Sequence, residues 1–222
     1  MTDRWVDASS RRQRKEPITV DRIVMTALGM IEAEGYDAVT MRRVAAALHT
    51  GPASLYAHVR NKADLDDLLV GELCSVIDLP DPDPARWREQ IVDVCRQLRD
   101  QYLRYPGISS APLASAPDSL ETMRITEGLL AIMLAGGVVP RAAAWTIDAL
   151  LLYVAAYSLE SSLRTGADDR RTRDRSETIE RLESLPPERF PVTTAHAREM
   201  VSGDGHERFD FTLGSLLSGV GN

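Results

Sequence analysis

Thr40-Met41-Arg42-Arg43-Val44-Ala45-Ala46-Ala47-Leu48-His49-Thr50-Gly51-Pro52-Ala53-Ser54-Leu55-Tyr56-Ala57-His58-Val59-Arg60-Asn61-Lys62-Ala63-Asp64-Leu65 is the stretch on which the fold turns. Thr40 is a favoured N-cap residue and opens a short helix from Met41 to Leu48. His49-Thr50-Gly51-Pro52 then breaks the helix: Gly51 permits a sharp turn, and Pro52 in a first-turn position costs no hydrogen bond. A third short helix runs to about Val59, and Asn61 caps a long fourth one from Lys62 to roughly Ile77. Val44, Ala45, Leu48, Leu55 and Val59 supply an apolar clamp, and small Ala45 and Ala46 let the two short helices cross closely. A support helix precedes them from Thr19 or Val20, with Ile23, Ala27, Met30, Ile31 and Ala33 at helical spacing and Gly35 as its stop. Two short helices joined by a tight break behind such a support form a helix-turn-helix. An ordinary helical hairpin satisfies the same spacing.

Outward from this core, residues 1–18 hold Arg11, Arg12, Arg14 and Lys15 without apolar period and read as a flexible basic arm, either solubilising or in contact with nucleic acid. Asp78-Leu79-Pro80-Asp81-Pro82-Asp83-Pro84 cannot continue a helix and is the best domain boundary. The expected organisation is an arm over 1–18, a helix-turn-helix domain over 19–66 whose fourth helix continues to about 78, and a second domain over 79–222. Helical patterns follow at about 85–105, 118–136 and 140–164. Ala167–Pro191 is charge-dense and predicts a mobile loop carrying a short helix around Glu177–Leu185, and two last helices fall near 193–202 and 204–219. No stretch alternates with a convincing period of two, so the fold class is all-α.

Composition agrees. Of the 222 residues 44% are hydrophobic, enough for a sizeable core, and only 5% aromatic, with Ala and Leu dominant. No N-terminal apolar stretch resembles a signal peptide, and the longest uncharged apolar run, Gly128–Val139, is about half of what a bilayer needs. No membrane partner is expected. Cys74 and Cys95 form no metal or redox motif and read as buried thiols in a reducing cytoplasm. The net charge of −7 divides unevenly: residues 1–62 hold ten Lys/Arg against seven Asp/Glu, and the remainder sixteen against twenty-six. Phosphate contact needs only local positive potential, so the asymmetry permits nucleic-acid binding without requiring it.

The run Thr40–Leu48 followed by Ser54–Leu65 resembles the TetR family of transcription regulators. The family signature LYxHFxxKxxL appears as Leu55-Tyr56-Ala57-His58-Val59-Arg60-Asn61-Lys62-Ala63-Asp64-Leu65, with Val59 in place of the usual Phe. Phe209-Asp210-Phe211-Thr212-Leu213-Gly214-Ser215-Leu216-Leu217-Ser218-Gly219 is similar to the final helix of the branch with a tetracycline-repressor-like regulatory domain. The resemblance implies a ligand-responsive regulator, a repressor released from a palindromic operator by a small molecule. It implies that Arg42, flanked by Arg43, reaches a guanine edge or phosphate, that Ser54 faces bases, and that Tyr56 and His58 bind phosphates. Lys62 would neutralise a phosphate at the start of the fourth helix, and Thr40 would cap its helix and touch phosphate together. The groove face offers Pro52, Ala53, Ser54 and Ala57 but no Gln, Asn or Arg, so readout would lean on methyl contacts and DNA shape.

For the second half the resemblance implies a sensor and dimeriser acting by population shift. The helix at 140–164 is apolar around most of its circumference and must be covered on several sides. It is expected to pair with the last helix and their counterparts in a homodimer through Leu151, Ala155, Phe209, Leu213, Leu216 and Leu217; burial within one subunit is the alternative. Tyr102, Met123, Met133, Trp145, Asp148 and Tyr153 are candidates to line a pocket for an unknown effector; all but Asp148 are residues more often found as plain core. Asp148 stands out as a lone carboxylate in an apolar helix, suited to orienting a cationic or polar ligand or to pairing with an arginine at the dimer seam. Tyr105-Pro106-Gly107-Ile108-Ser109-Ser110 lacks the histidine that holds a magnesium–drug chelate in tetracycline repressors, and one acid at Glu160 does not replace it, so no metal and no cofactor are expected. An all-helical enzyme is the rival reading; no nucleophile–base pair, phosphate-cradling glycine loop or metal spacing supports it. A sequence-tolerant architectural DNA protein is the second rival.

Overall fold

The computed structural model describes residues 17–114, 118–164 and 168–220, with the side chains of 164 and 168–174 excepted. The basic residues Arg11, Arg12, Arg14 and Lys15 of the expected arm lie outside them. All regular secondary structure among the described residues is helical. α1 (Val20–Glu34) starts where the Thr19 hydroxyl accepts the Arg22 N–H at 3.2 Å and stops at Gly35, φ 85°. A 3-10 turn (Tyr36–Ala38) leads into α2 (Met41–Ala47), α3 (Pro52–Tyr56) and α4 (Lys62–Ser75). Ile23, Ala27 and Ile31 of α1, Val44 and Ala45 of α2, Leu55, Val59, Leu65 and Leu69 are all wholly enclosed. The expected clamp therefore exists, with Leu48 half-buried at its edge.

The turn between α2 and α3 works differently from the expectation. Gly51 lies in extended backbone (φ −83°, ψ 154°) that any residue adopts before a proline. His49 takes the left-handed conformation instead, φ 53°. The His49 N–H bonds the Ala46 carbonyl and the Thr50 N–H the Ala45 carbonyl, both at 3.0 Å. This is the Schellman closure that usually places glycine where His49 stands.

The remaining helices are α5 (Trp87–Arg104), α6 (Ser110–Ala114), α7 (Leu120–Ala135), α8 (Pro140–Arg164), α9 (Asp168–Glu183), α10 (Pro191–Ala195), α11 (Ala197–Met200) and α12 (Glu207–Ser218). α5 is the central strut, burying Trp87, Ile91, Val94, Cys95, Leu98 and Tyr102 at three- and four-residue steps against α7, α8 and α12. α8 turns Ala143, Ile147, Leu150, Val154, Tyr157 and Ser158 inward. By length and composition alone its segment Pro140–Leu163 is apolar enough to cross a membrane; packing of the inner seam on α5, α6, α7 and α12 accounts for that composition. Three expectations change. The charged segment after 167 is a helix from Asp168 rather than a loop with a short helix, the expected helix near 193–202 is split into α10 and α11 at His196, and α6 and the Tyr36 turn were not foreseen.

The proline-rich segment after α4 is strapped down rather than loose. Gln97 of α5 accepts the Asp78 N–H (2.8 Å) and donates to the Asp78 carbonyl (3.1 Å). Gln90, itself buried, accepts the Asp83 N–H (2.9 Å) and donates to the Asp81 carbonyl (2.7 Å). Each amide satisfies backbone groups that prolines and lack of regular structure leave without ladder partners.

Candidate nucleic-acid interface

With Leu55 and Val59 turned inward, α3 and the turn behind it present Pro52, Ala53, Ser54, Tyr56, Ala57 and His58 to solvent, Tyr56 being 52% exposed. Thr40 stands at the head of α2, exposed, its hydroxyl accepting the Arg43 N–H at 3.2 Å. The cap is thus real, and it leaves the hydroxyl proton and a lone pair facing water. The two arginines of α2 differ. Arg42 is exposed and makes no ion pair among the described residues. Arg43 grips Glu34 of α1 with both carboxylate oxygens, at 2.8 and 2.9 Å.

At the head of α4, Asn61 accepts the Asp64 N–H at 2.9 Å. The Asp64 carboxylate in return takes the Arg60 N–H (2.8 Å) and the Arg60 guanidinium (2.7 Å), which together hold its carboxyl below the usual carboxylate range. Lys62 points back into the protein. Its ammonium donates to the Tyr36 hydroxyl at 2.8 Å, lies 4.0 Å from the centre of that ring and pairs with Asp66. Burial and the Asp66 carboxylate push the Tyr36 phenol far above its ordinary range. Tyr36 and Asp66 are residues that spacing could not find, since the first joins Lys62 across 26 positions. The only local signal was the four-residue step from Lys62 to Asp66.

The expected sensor residues do not come together. Tyr102 and Met133 are buried, whereas Met123 (47%) and Trp145 (66%) are exposed and Asp148 stands on the same outer face of α8. Tyr153 is half-buried, stacked on Phe209 at 5.6 Å with its hydroxyl donating to the Arg208 carbonyl at 3.3 Å. A cleft of about 500 Å³ between the start of α4 and α6 includes Lys62, Asp66, Asp67 and Ala111 in its wall. Another of about 500 Å³ lies between α5 and α12, beside Arg88, Arg96 and Leu217. None of the six candidates lines either. Ser109, just beyond α5, is wholly buried and its hydroxyl has no hydrogen-bond partner. Glu160 pairs with Arg208, and among the described residues no group of three His, Cys, Asp or Glu is placed to hold a metal. Burial pushes the Cys74 and Cys95 thiols up to about 12, leaving both inert.

Four of the six expected dimer residues are covered inside the subunit. Phe209, Leu213 and Leu217 are at most 2% exposed and Ala155 is also buried, all within their own subunit. The inner stripe of α12 packs on α5 and α8. Leu151 and Leu216 are half-buried, and the apolar groups that do face out are Leu152, Leu163, Trp145 and Phe211.

Residues 23–66 match the family model described as bacterial regulatory proteins, tetR family, and residues 79–222 that of the tetracyclin repressor-like C-terminal domain. The chain belongs to the TetR family. Among solved structures this TetR-family regulator is similar to ActR of Streptomyces coelicolor in complex with actinorhodin, 36% identical, covering 91% of this chain and 95% of that one at a TM-score of 0.84. Among relatives it is 31% identical to the HTH-type transcriptional repressor DrrR1 of Streptomyces coeruleorubidus, over 94% of this chain and 79% of that protein. It is 27% identical to BioQ in complex with its double-stranded DNA operator, over 67% of this chain and 90% of that one at a TM-score of 0.60. The TetR-family regulator is therefore an all-α, DNA-binding transcription regulator with an N-terminal helix-turn-helix and a larger helical C-terminal domain.

Proposed function

We propose that the chain is a cytoplasmic, homodimeric repressor that holds a pseudo-palindromic operator until a small-molecule effector releases it, with 19–66 as reader and 79–222 as sensor and dimeriser. The observation that carries this reading is the outward arc of Thr40, Arg42, Ser54, Tyr56 and His58 on a rigidly clamped helix pair, Arg42 making no ion pair among the described residues. Arg42 and Ser54 meet base edges, the other three fix register on phosphates, and Arg43 and Lys62 join them on leaving Glu34 and Asp66. One reader has modest affinity, so two in a dimer spanning half-sites about one DNA turn apart are needed. The exposed stripe of Trp145, Leu152 and Leu163 on α8, with Phe211 of α12, supports the second copy as its cover. Asp148, on the same face, then finds its partner across the seam.

The liganded ActR structures support a small-molecule effector, and actinorhodin and (S)-DNPA are the first compounds to try. The buried Ser109 hydroxyl, without a partner among the described residues, is where an effector gains most by supplying a hydrogen bond. The test is selection of duplexes from a random-sequence library, followed by footprinting and titration with both compounds. Two protected half-sites one turn apart, lost on adding a compound that binds, are expected. Binding without sequence preference, or displaced equally by random DNA, overturns the reading in favour of an architectural role.

A further inference from the structure

The charge that ought to meet DNA at the head of α4 is held elsewhere. Lys62 is the first residue of α4, and its partner Asp66 lies one turn further along the same helix. A side chain drawn toward position i+4 leans away from the helix N-terminus, by about one 5.4 Å pitch. The Lys62 side chain is only 34% exposed and that of Asp66 17%, so this pair is sheltered rather than an ordinary surface contact. The Tyr36 hydroxyl closes the site at 2.8 Å from the ammonium, with its ring face beneath.

Tyr36 is in turn fixed by the other half of the molecule. Its N–H donates to the Pro106 carbonyl at 2.9 Å, in the turn between α5 and α6. Gly107 follows at φ 87°, where a Cβ would sit 3.2 Å from the Tyr36 Cβ, so the approach depends on glycine. Ser110 anchors the same turn through the Gly107 carbonyl (2.7 Å), and Arg104 pairs with Glu32 beside it at 3.5 Å. The orphan hydroxyl of Ser109 is two residues from Gly107. A continuous line of contacts thus runs from the buried end of α5, through Pro106 and Tyr36, to Lys62.

We infer that Tyr36 is a positioning residue for DNA binding: docked on the α5–α6 turn, it parks the Lys62 ammonium against Asp66, and the place of that turn sets whether Lys62 grips phosphate. This rests on the proposed operator-binding function and adds to it a residue that touches no DNA. Removing the phenol oxygen or the Asp66 charge lowers the cost of swinging Lys62 toward a phosphate. A Cβ at Gly107, pressing on Tyr36 from the turn, does the same while leaving the side chains of Tyr36, Lys62 and Asp66 chemically unchanged.

The experiment measures binding of the purified dimer to one library-selected duplex across a range of NaCl. Tyr36→Phe, Asp66→Asn and Gly107→Ala are each expected to tighten binding about 3- to 10-fold. They should also steepen the slope of log K against log salt by up to about 0.9 for each subunit, one further phosphate contact in each half of the dimer. In a Lys62→Met background all three effects should disappear, a result that general stiffening or loosening of the fold would not produce. Unchanged or weaker binding by Tyr36→Phe and Asp66→Asn, or effects that persist without Lys62, overturn the parking role. Tightening by those two but not by a folded Gly107→Ala overturns the link to the turn. Failure of the wild-type protein to bind any selected duplex refutes the proposed function itself, which separates the two failures.

Discussion

Arg124 offers the most direct test of how α4 is held. From α7 its guanidinium donates to the Cys74 carbonyl at 2.7 Å and the Ile77 carbonyl at 3.1 Å, with the Ser75 carbonyl at 3.4 Å and Glu121 at 2.9 Å. α4 ends at Ser75, so the Cys74 and Ser75 carbonyls are among those that a helix C-terminus leaves without the usual i+4 partner, the Cys74 carbonyl taking the Ile77 N–H at 3.2 Å as well, and the Ile77 carbonyl lies just past the helix end. Two sound bonds from a charged donor contribute about 1.5–3 kcal/mol each in a sheltered setting. The Arg124 side chain is 37% exposed, and water reaches part of the gap, so Arg124→Ala should cost roughly 1–3 kcal/mol in all.

For a chain of this size that is a fall in melting temperature of about 3–9 °C, measured at fixed protomer concentration. Amides of residues 76–79 should exchange faster with solvent, since the end of α4 and the strapped segment lose a common anchor. Arg124→Lys keeps the charge but cannot bond Glu121 through one nitrogen and the carbonyls through another, and should fall between wild type and Arg124→Ala. A loss below about 0.5 kcal/mol with unchanged exchange would refute the argument that the arginine, rather than apolar packing, terminates the helix.

Three further outcomes follow from local geometry. Arg42→Ala should weaken operator binding by about 1–3 kcal/mol, and Arg43→Ala by less, because Arg43 must first leave Glu34; equal losses in a titration would remove the distinction. Gly136→Ala would place a Cβ 2.3 Å from the Trp87 indole, and a urea midpoint lowered by an amount equivalent to about 1–3 kcal/mol is expected; a variant as stable as the wild type would show the indole moves freely. Asp210 accepts both arms of Arg96 at 3.0 Å, which holds its carboxyl below the usual range. A depressed folded value means the pair stabilises fully above the unfolded carboxyl range near pH 4 and is lost as pH falls through the folded value. Asp210→Asn should therefore flatten the acid limb of stability below about pH 5, and identical limbs in urea titrations would count against the pair.

What the sequence revealed, and what it withheld, divides by range. Thr19, Thr40 and Asn61 were legible as caps because a side chain bonding an amide three residues on is a local event. The clamp of Val44, Ala45, Leu55 and Val59 was legible because only one register buries all four. His49 was missed because glycine is the ordinary left-handed residue, and Gly51 nearby drew the assignment. Arg43–Glu34 and Lys62–Tyr36 are tertiary pairs across 9 and 26 positions, for which no periodicity exists. In α12 apolar residues occupy two faces, and spacing cannot say which one the subunit keeps for itself; packing on α5 and α8 chose Phe209, Leu213 and Leu217. The same ambiguity on α8 left open which way Trp145 and Asp148 face, and both face outward.

The strapped segment changes where movement between the two halves can arise. A run with three prolines between α4 and α5 invites the picture of a hinge there, with α4 swinging from its C-terminal end. Gln90 and Gln97 fix that run to α5 at four points, and Arg124 ties the end of α4 to α7. At the other end of the contact Asp67 of α4 accepts the N–H groups of Asp118 and Ser119 at 2.9 and 3.3 Å, at the head of α7. Gly71 permits this closeness, since a Cβ there would lie 3.0 Å from the Ser119 hydroxyl. α4 and α7 therefore clasp each other reciprocally, each one's side chain serving the backbone of the other. A pair held at both ends moves as one body, so displacement reaching the reader has to enter with α7 or through the Pro106–Tyr36 contact. Tightening at the orphaned Ser109, which adjoins both α6 and that contact in sequence, is the perturbation best placed to move it.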